Sequence, residues 1–403
     1  MNRWFRLGAA AIAMIMIANL QYAWTLFVKP IMGATGWKLS EVQWGFTFFI
    51  ALETWLMPLA GWLIDRYGPR IFMSCAGVLC GVGWALLGQA RTLPQLYTFY
   101  SAAGMGAAMI YCGSVATGLK WFPDRRGLAS GIIAAGFGAG AALFIPVIAR
   151  VIREQNYAAA FLYTGVFQGL LIVAAAQFLQ NPGPDFSAAG KGPVASGKKV
   201  RLHMEDFNSL EMLRTPQFYV LYLMMLMMGI GGLMVTAQVA PVASSLKVSA
   251  ALVTAAVTVN LIANGSGRVF WGWVSDHIGR ERTMTAAFLL NSFSLVSVLA
   301  VGRVSGVGFI VCLALVFFTW GEIYALFPSA SADFFGARNA GSNYSFLYSS
   351  KGVASIVAGG LAARIYEKTG SWNTVFYGSA ALALCAALLA FGLKAMPLPT
   401  KRG

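Results

Sequence analysis

Gly61-Trp62-Leu63-Ile64-Asp65-Arg66-Tyr67-Gly68-Pro69-Arg70 and Gly272-Trp273-Val274-Ser275-Asp276-His277-Ile278-Gly279-Arg280 are two imperfect copies of one phrase. Each follows an apolar run, and their first glycines stand 211 residues apart, about half of the 403-residue chain. A second pair recurs at nearly the same offset: WFPDRRGLASG at 121–131 and DFFGARNAGSNYS at 333–345. Parallel repeats at half-chain spacing are an architecture of membrane transporters, with the site near the bilayer midplane between the halves.

Working outward from these phrases, runs of about 20 apolar residues recur, the length a helix needs to cross a hydrocarbon core of about 30 Å. Twelve are legible: 8–30, 43–64, 71–90, 96–118, 127–149, 158–180, 217–240, 251–274, 283–302, 306–328, 341–363 and 373–393. The first is too long for a signal-peptide core and lacks a small-residue cleavage site, so it is read as a span. Composition agrees: 58% of residues are hydrophobic and 11% charged, where soluble domains carry roughly 25% charge. The expectation is an all-α membrane protein with twelve transmembrane helices in two pseudo-symmetric six-helix bundles. Residues 1–180 form the first bundle, 181–215 a cytoplasmic linker and 216–403 the second. The linker holds Pro182, Pro184, Gly190, Gly192, Lys198 and Lys199 and is long for a transmembrane connection. Its end, DFNSLEMLRTPQF, reads as a short amphipathic piece with Leu210 and Leu213 on one side and Glu211 and Arg214 on the other.

The net charge of +15 invites a nucleic-acid partner, and its distribution argues against one. With both termini in the cytoplasm, that side carries 18 of the 29 Lys and Arg residues and the other side 9. The remaining two, Arg268 and Lys351, fall inside spans. This is the positive-inside pattern of a multi-pass protein of the cell (inner) membrane, whose surroundings are the lipid bilayer. Cys75, Cys80, Cys112, Cys312 and Cys385 lie in apolar runs without metal-ligand spacing, and His203 and His277 stand in polar connections. No metal, cofactor or enzymatic set is expected. GFGAGAAL at 136–143 lies inside a span with no strand before it, so it is not a nucleotide loop. With GMGAAMIYCG and GGLAARIY it reads as a small-residue run that lets helices approach closely.

The pattern G-x-x-x-D-R-x-G-x-R at 61–70, with its partial copy at 272–280, resembles the signature of the major facilitator superfamily. The resemblance covers essentially the whole chain and implies the major facilitator fold. It also implies a cytoplasmic latch in the outward-open state, with Asp65 or Asp276 meeting a helix N-terminus and Arg66, Arg70 and Arg280 facing the opposite half. LQYAWTLF, WFPDRRGLASG, MLRTPQF and FFTWGEIYALFPS resemble more narrowly the branch holding the oxalate:formate antiporter and the monocarboxylate transporters. In that branch an arginine of span eight, here Arg268, binds the substrate carboxylate, and the oxalate antiporter has a span-eleven lysine matching Lys351. Animal monocarboxylate carriers have an aspartate one turn before the arginine, where this chain has Asn264. That departure removes the usual proton-coupling carboxylate.

The residues themselves point the same way. A charge within a span costs at least about 2.5 kcal/mol and persists where it faces a protein interior or a wet cavity. The planar fork of Arg268 suits a carboxylate, and Asn264 lies four residues earlier on the same helix face. The rival partner is an acid of the chain, Glu322 or Glu53. Lys351 lies among Tyr344, Tyr348, Ser349 and Ser350. Two intramembrane cations and two acids form an even count, which inclines the reading towards a monoanion carried with a proton. If the acids face elsewhere, the dianion oxalate returns. Glu322 is named as proton carrier, with Glu53 second, because burial favours a neutral carboxyl and a nearby cation a charged one. Tyr111, Trp320, Tyr324, Gln21, Tyr22, Phe137, Tyr344 and Tyr348 are the candidate cavity lining. The function expected is proton-coupled symport of a small monocarboxylate, L-lactate first, by rocking of two halves of a functional monomer. Exchange of oxalate for formate is the alternative, and a membrane sensor of such an acid the alternative of another class.

Overall fold

The computed structural model describes residues 2–183, 205–358 and 362–400. The linker's 184–204, with Lys191, Lys198, Lys199 and His203, lies outside the described residues, as do 359–361 of GGLAARIY and the tail's Lys401 and Arg402. The chain divides into two compact units. One comprises Met1–Pro123, Gly136–Lys191 and Ala337–Ser345; the other comprises Asp124–Ala135, Gly192–Gly336 and Phe346–Gly403.

The first unit holds α1 (Arg3–Tyr22), α2 (Trp24–Thr35), α3 (Leu39–Trp55), α4 (Met57–Tyr67), α5 (Pro69–Leu87), α6 (Leu93–Trp121), most of α7 (Arg126–Glu154) and α8 (Tyr157–Ala176). The small-residue positions set its packing. A Cβ on Gly81 of α5 would stand 2.8 Å from the Gly169 Cα of α8, so these two backbones touch. Leu56 separates α3 from α4, and Pro58, with no N–H to offer the preceding turn, sits in the first turn of α4. The pair is bent by 42° and together spans the second apolar run.

The second unit holds α9 (Ser209–Leu213), α10 (Pro216–Ser245), α11 (Ala250–Ile278), α12 (Arg280–Gly302), α13 (Gly306–Trp320), α14 (Ile323–Phe335), α15 (Ala340–Ile356) from Phe346 on, α16 (Ala362–Thr369) and α17 (Asn373–Leu393). Helix α9 is only five residues long, closed by a capping box between Asn208 and Glu211. It buries Met212 and leaves Leu210 71% exposed, so its inward side is not the Leu210–Leu213 side that the sequence suggests. One turn of helix is too short for a periodic face to decide its orientation.

Among the described residues, nine helices are long and apolar enough to cross a membrane, with α13 and α14 counted as one, and ten with the bent pair α3–α4. Helices α11 and α15, which carry Arg268 and Lys351, are not among them. The half-chain repeat is conformational as well as textual. Gly68, between α4 and α5, has φ 89° and ψ 160°; Gly279, between α11 and α12, has φ 97° and ψ 154°. Side-chain-bearing residues are strained there, so both phrases need glycine at the turn.

Candidate substrate site

Helix α11 is held against its neighbours by missing side chains. A Cβ on Gly267 would stand 2.1 Å from the Phe318 carbonyl of α13, and one on Gly131 2.4 Å from the carbonyl of Arg268 itself. Arg268 is therefore fixed where three helix segments meet, and it is 1% exposed. Its Nε donates to Asn264 Oδ1 at 3.0 Å, and Nη1 donates to the Ala134 carbonyl at 2.8 Å. The guanidinium carbon lies 4.4 Å from the centroid of the Tyr324 ring. Among the described residues no carboxylate lies within ion-pair distance of Arg268. The charge rests on an amide oxygen, a carbonyl and a ring face, all neutral.

A row of rings leads from this cation to the second. Tyr324 and Tyr348 stand 6.2 Å apart between centroids. The Tyr348 hydroxyl accepts from Lys351 Nζ at 2.8 Å, and that ammonium lies 5.0 Å from the Tyr348 ring centre. Trp320 meets Tyr324 edge to face at 5.6 Å, in space left by Gly232. Its indole N–H is buried with no acceptor. Asn264 braces α11 by donating to the Phe317 carbonyl at 3.4 Å. Arg268, Asn264, Tyr324, Tyr348 and Lys351 thus form one connected set in the second unit.

Glu322 is fully buried at the break between α13 and α14, and among the described residues neither carboxyl oxygen has a hydrogen-bond partner. It pairs with neither Arg268 nor Lys351. A carboxylate so placed bears a full desolvation penalty, whereas the neutral acid bears that of an ordinary polar group. In the first unit, Glu53 is fully buried on α3. Phe137 stands 5.5 Å from Tyr111 and 5.5 Å from Tyr22, so three of the candidate aromatics form a cluster. Gln21, next to Tyr22, has a buried Oε1 without a donor. Ser349 is spent on the Phe346 carbonyl, and the Ser350 hydroxyl is buried without a partner.

The repeated phrases make two clamps of one design. In the first unit Asp65 Oδ2 accepts from the Ser342 N–H at 2.8 Å and the Ser342 hydroxyl at 3.0 Å, and Oδ1 accepts from Lys120 at 2.8 Å. A Cβ on Gly61 would meet the Gly341 backbone at 2.7 Å. In the second unit Asp276 accepts from the Gly127 and Leu128 N–H groups at 2.9 and 2.8 Å, and Gly272 meets Gly127 in the same way. Each aspartate sits on the first turn of a helix, where the free N–H groups favour an anion. Arg280 is buried between Asp276 and Asp333, at 2.7 Å from each, and Arg126 reaches Asp333 at 2.7 Å. Arg66 lies over the rings of Trp62 and Tyr67, and Arg70 donates to Gln177. Sequence reasoning left out Lys120, Arg126, Asp333 and the Ala134 carbonyl. Arg126 and Asp333 stand inside the second repeated pair of phrases, a signal that could have found them; the carbonyl has no sequence signal.

With this geometry in hand, comparison with known proteins assigns a family. A Major Facilitator Superfamily model matches residues 9–239 and 219–403. The oxalate:formate antiporter of Oxalobacter formigenes is 39% identical over 402 residues, 100% of this chain and 94% of that protein. Monocarboxylate transporter 12-B of Danio rerio is 24% identical over 83% of this chain and 75% of its own length. A solved proton:xylose symporter of the superfamily has the same fold, with a TM-score of 0.77 at 13% identity, covering 97% of this chain and 95% of the other. With both of its halves matched by the family model, a full-length relative and a shared fold, the chain belongs to the major facilitator superfamily of transporters.

Proposed function

We propose that this transporter carries a small carboxylate across the cell (inner) membrane by alternating access, with the carboxylate held by Arg268. The observation that supports this reading is a guanidinium 1% exposed whose partners are all neutral. A buried cation without a counter-charge is unfavourable, and two carboxylate oxygens match its fork. Asn264 and Tyr324 hold that fork in place; Lys351 and Tyr348 bound the cargo in the second unit, and Tyr111, Phe137 and Gln21 are the candidate lining that the first unit carries. The cargo proposed first is L-lactate with a proton on Glu322, whose oxygens lack hydrogen bonds; Glu53 is the second acid. The moving parts are the halves 1–180 and 216–403 of a monomer, joined by a cytoplasmic linker, with both termini in the cytoplasm.

A second reading, exchange of oxalate for formate, has one specific observation in its favour. Lys351 joins Arg268 through two tyrosine rings, and among the described residues no carboxylate lies within ion-pair distance of Arg268, so the set that holds this cation also contains a second one. Counterflow of labelled lactate, oxalate and formate into liposomes holding the purified protein separates the readings. Lactate uptake driven by an inward proton gradient supports the first. Oxalate–formate exchange indifferent to that gradient supports the second. Binding of these acids without flux of any of them would leave a sensor and sink transport itself.

A further inference from the structure

We infer that a cleft in the first unit, lined by Arg66, Gly68, Arg70, Ile71, Leu179 and Asn181, seats the phosphate of an anionic phospholipid. The cleft is an open surface depression with a volume of about 400 Å³. Two exposed guanidiniums line it, and among the described residues their contacts supply no counter-charge. Arg66 lies 5.4 and 5.5 Å from the ring centres of Trp62 and Tyr67, and Arg70 uses only Nε, on the neutral Gln177 side chain at 3.0 Å. Among the described residues neither arginine is within ion-pair distance of a carboxylate. The adjacent acid, Asp65, is committed to Lys120 and the backbone at Gly341 and Ser342. Two unbalanced guanidiniums beside one cleft call for a doubly hydrogen-bonded oxyanion, and phosphate oxygens meet that geometry.

The surroundings select a lipid over a free anion. Helix α5 begins at Pro69 and is itself long and apolar enough to cross a membrane, so the cleft lies at the end of an apolar span. Trp62, Tyr67 and Ile71 are 47%, 59% and 67% exposed beside it. Large apolar side chains left uncovered next to arginines, at the level where hydrocarbon gives way to headgroups, match a ligand that is anionic at one end and hydrocarbon at the other. Inorganic phosphate would satisfy the arginines and leave those three side chains uncovered.

Native mass spectrometry of the full chain, titrated with phosphatidylglycerol, tests this. Phosphatidylcholine serves as the zwitterionic control and inorganic phosphate as the competitor. The wild type is expected to retain one phosphatidylglycerol in preference to phosphatidylcholine. The double variant Arg66→Gln, Arg70→Gln is expected to bind it about thirtyfold more weakly, roughly fivefold for each near-surface cation. The double variant Arg66→Lys, Arg70→Lys keeps the charge but gives up the fork, so its binding is expected to fall between the wild type and the glutamine variant, which separates lost charge from lost fold. Undiminished binding by the glutamine variant, equal loss in the lysine variant, or displacement of the lipid by inorganic phosphate would each overturn the assignment.

Discussion

Arg268 shows what one residue discloses by itself and what it withholds. An arginine within an apolar run, with an amide four residues before it, is enough to expect the Arg268–Asn264 contact, because i and i+4 share a helix face. The Ala134 carbonyl and the Tyr324 ring come from other helices, and no spacing along the chain announces them. Composition alone offers Glu322 and Glu53 as acid partners for Arg268, yet among the described residues the Glu322 carboxyl has no hydrogen-bond partner. Two predictions belong here. Arg268→Lys keeps the charge but loses the fork and the flat face over Tyr324, so carboxylate affinity should fall roughly tenfold to a hundredfold, as for a lost charge-assisted hydrogen bond. The concentration dependence of counterflow measures it, and unchanged affinity would remove Arg268 from the site. Glu322→Gln keeps shape and burial while removing the exchangeable proton. Proton-stimulated lactate uptake should then lose its pH dependence while the protein stays folded. Uptake that keeps the wild-type pH profile would end the coupling role.

At the scale of helices, the apolar runs locate the passes because a bilayer fixes their length, and among the described residues ten of the twelve runs fall on helices, or a bent pair, long and apolar enough to cross. What the runs do not reveal is where a pass breaks. The interruptions at Leu56 and at Gly321–Glu322 are set by local chain geometry under tertiary packing. Glycines carry a similar ambiguity: a small-residue run is visible, but which glycine touches which backbone is not. The structure sorts them, and the sorting is testable. A Cβ on Gly272 would stand 2.2 Å from the Gly127 carbonyl, a backbone atom with no freedom to withdraw. Gly272→Ala should therefore lower stability by about 1–3 kcal/mol or more. Gly378 of α17 has nothing within 4 Å, so Gly378→Ala should be neutral or stabilising by about 0.5 kcal/mol. Thermal unfolding in detergent compares the two. Equal melting temperatures would mean that α11 and α7 do not touch at these glycines.

Across the whole molecule, the repeat legible in the sequence becomes two clamps that match in plan and differ in charge. Gly61 and Asp65 serve the first turn of α15, and Gly272 and Asp276 that of α7. Helix α7 changes unit at Gly136 and α15 at Phe346, and each clamp, with the helix start it holds, lies within one unit. The text of the phrases conveyed this symmetry, while the asymmetry lay in residues far apart in sequence. In the first clamp Asp65 balances one cation, Lys120; in the second, Asp333 balances two, Arg126 and Arg280, with side chains 1%, 11% and 5% exposed. Breaking a buried pair by removing one partner costs about 3–5 kcal/mol, because the remaining charge is left uncompensated. Asp333→Asn strands Arg126 and leaves Arg280 with Asp276 alone, so it should destabilise by an amount within that range. Asp65→Asn strands one ammonium that still has Asn181 within 3.4 Å, and should cost less. Adding Arg126→Gln to Asp333→Asn removes the stranded charge, so the double variant should recover part of the loss. Melting temperatures of the three variants decide the matter: a double variant less stable than Asp333→Asn alone would mean that the Asp333 site does not act through charge.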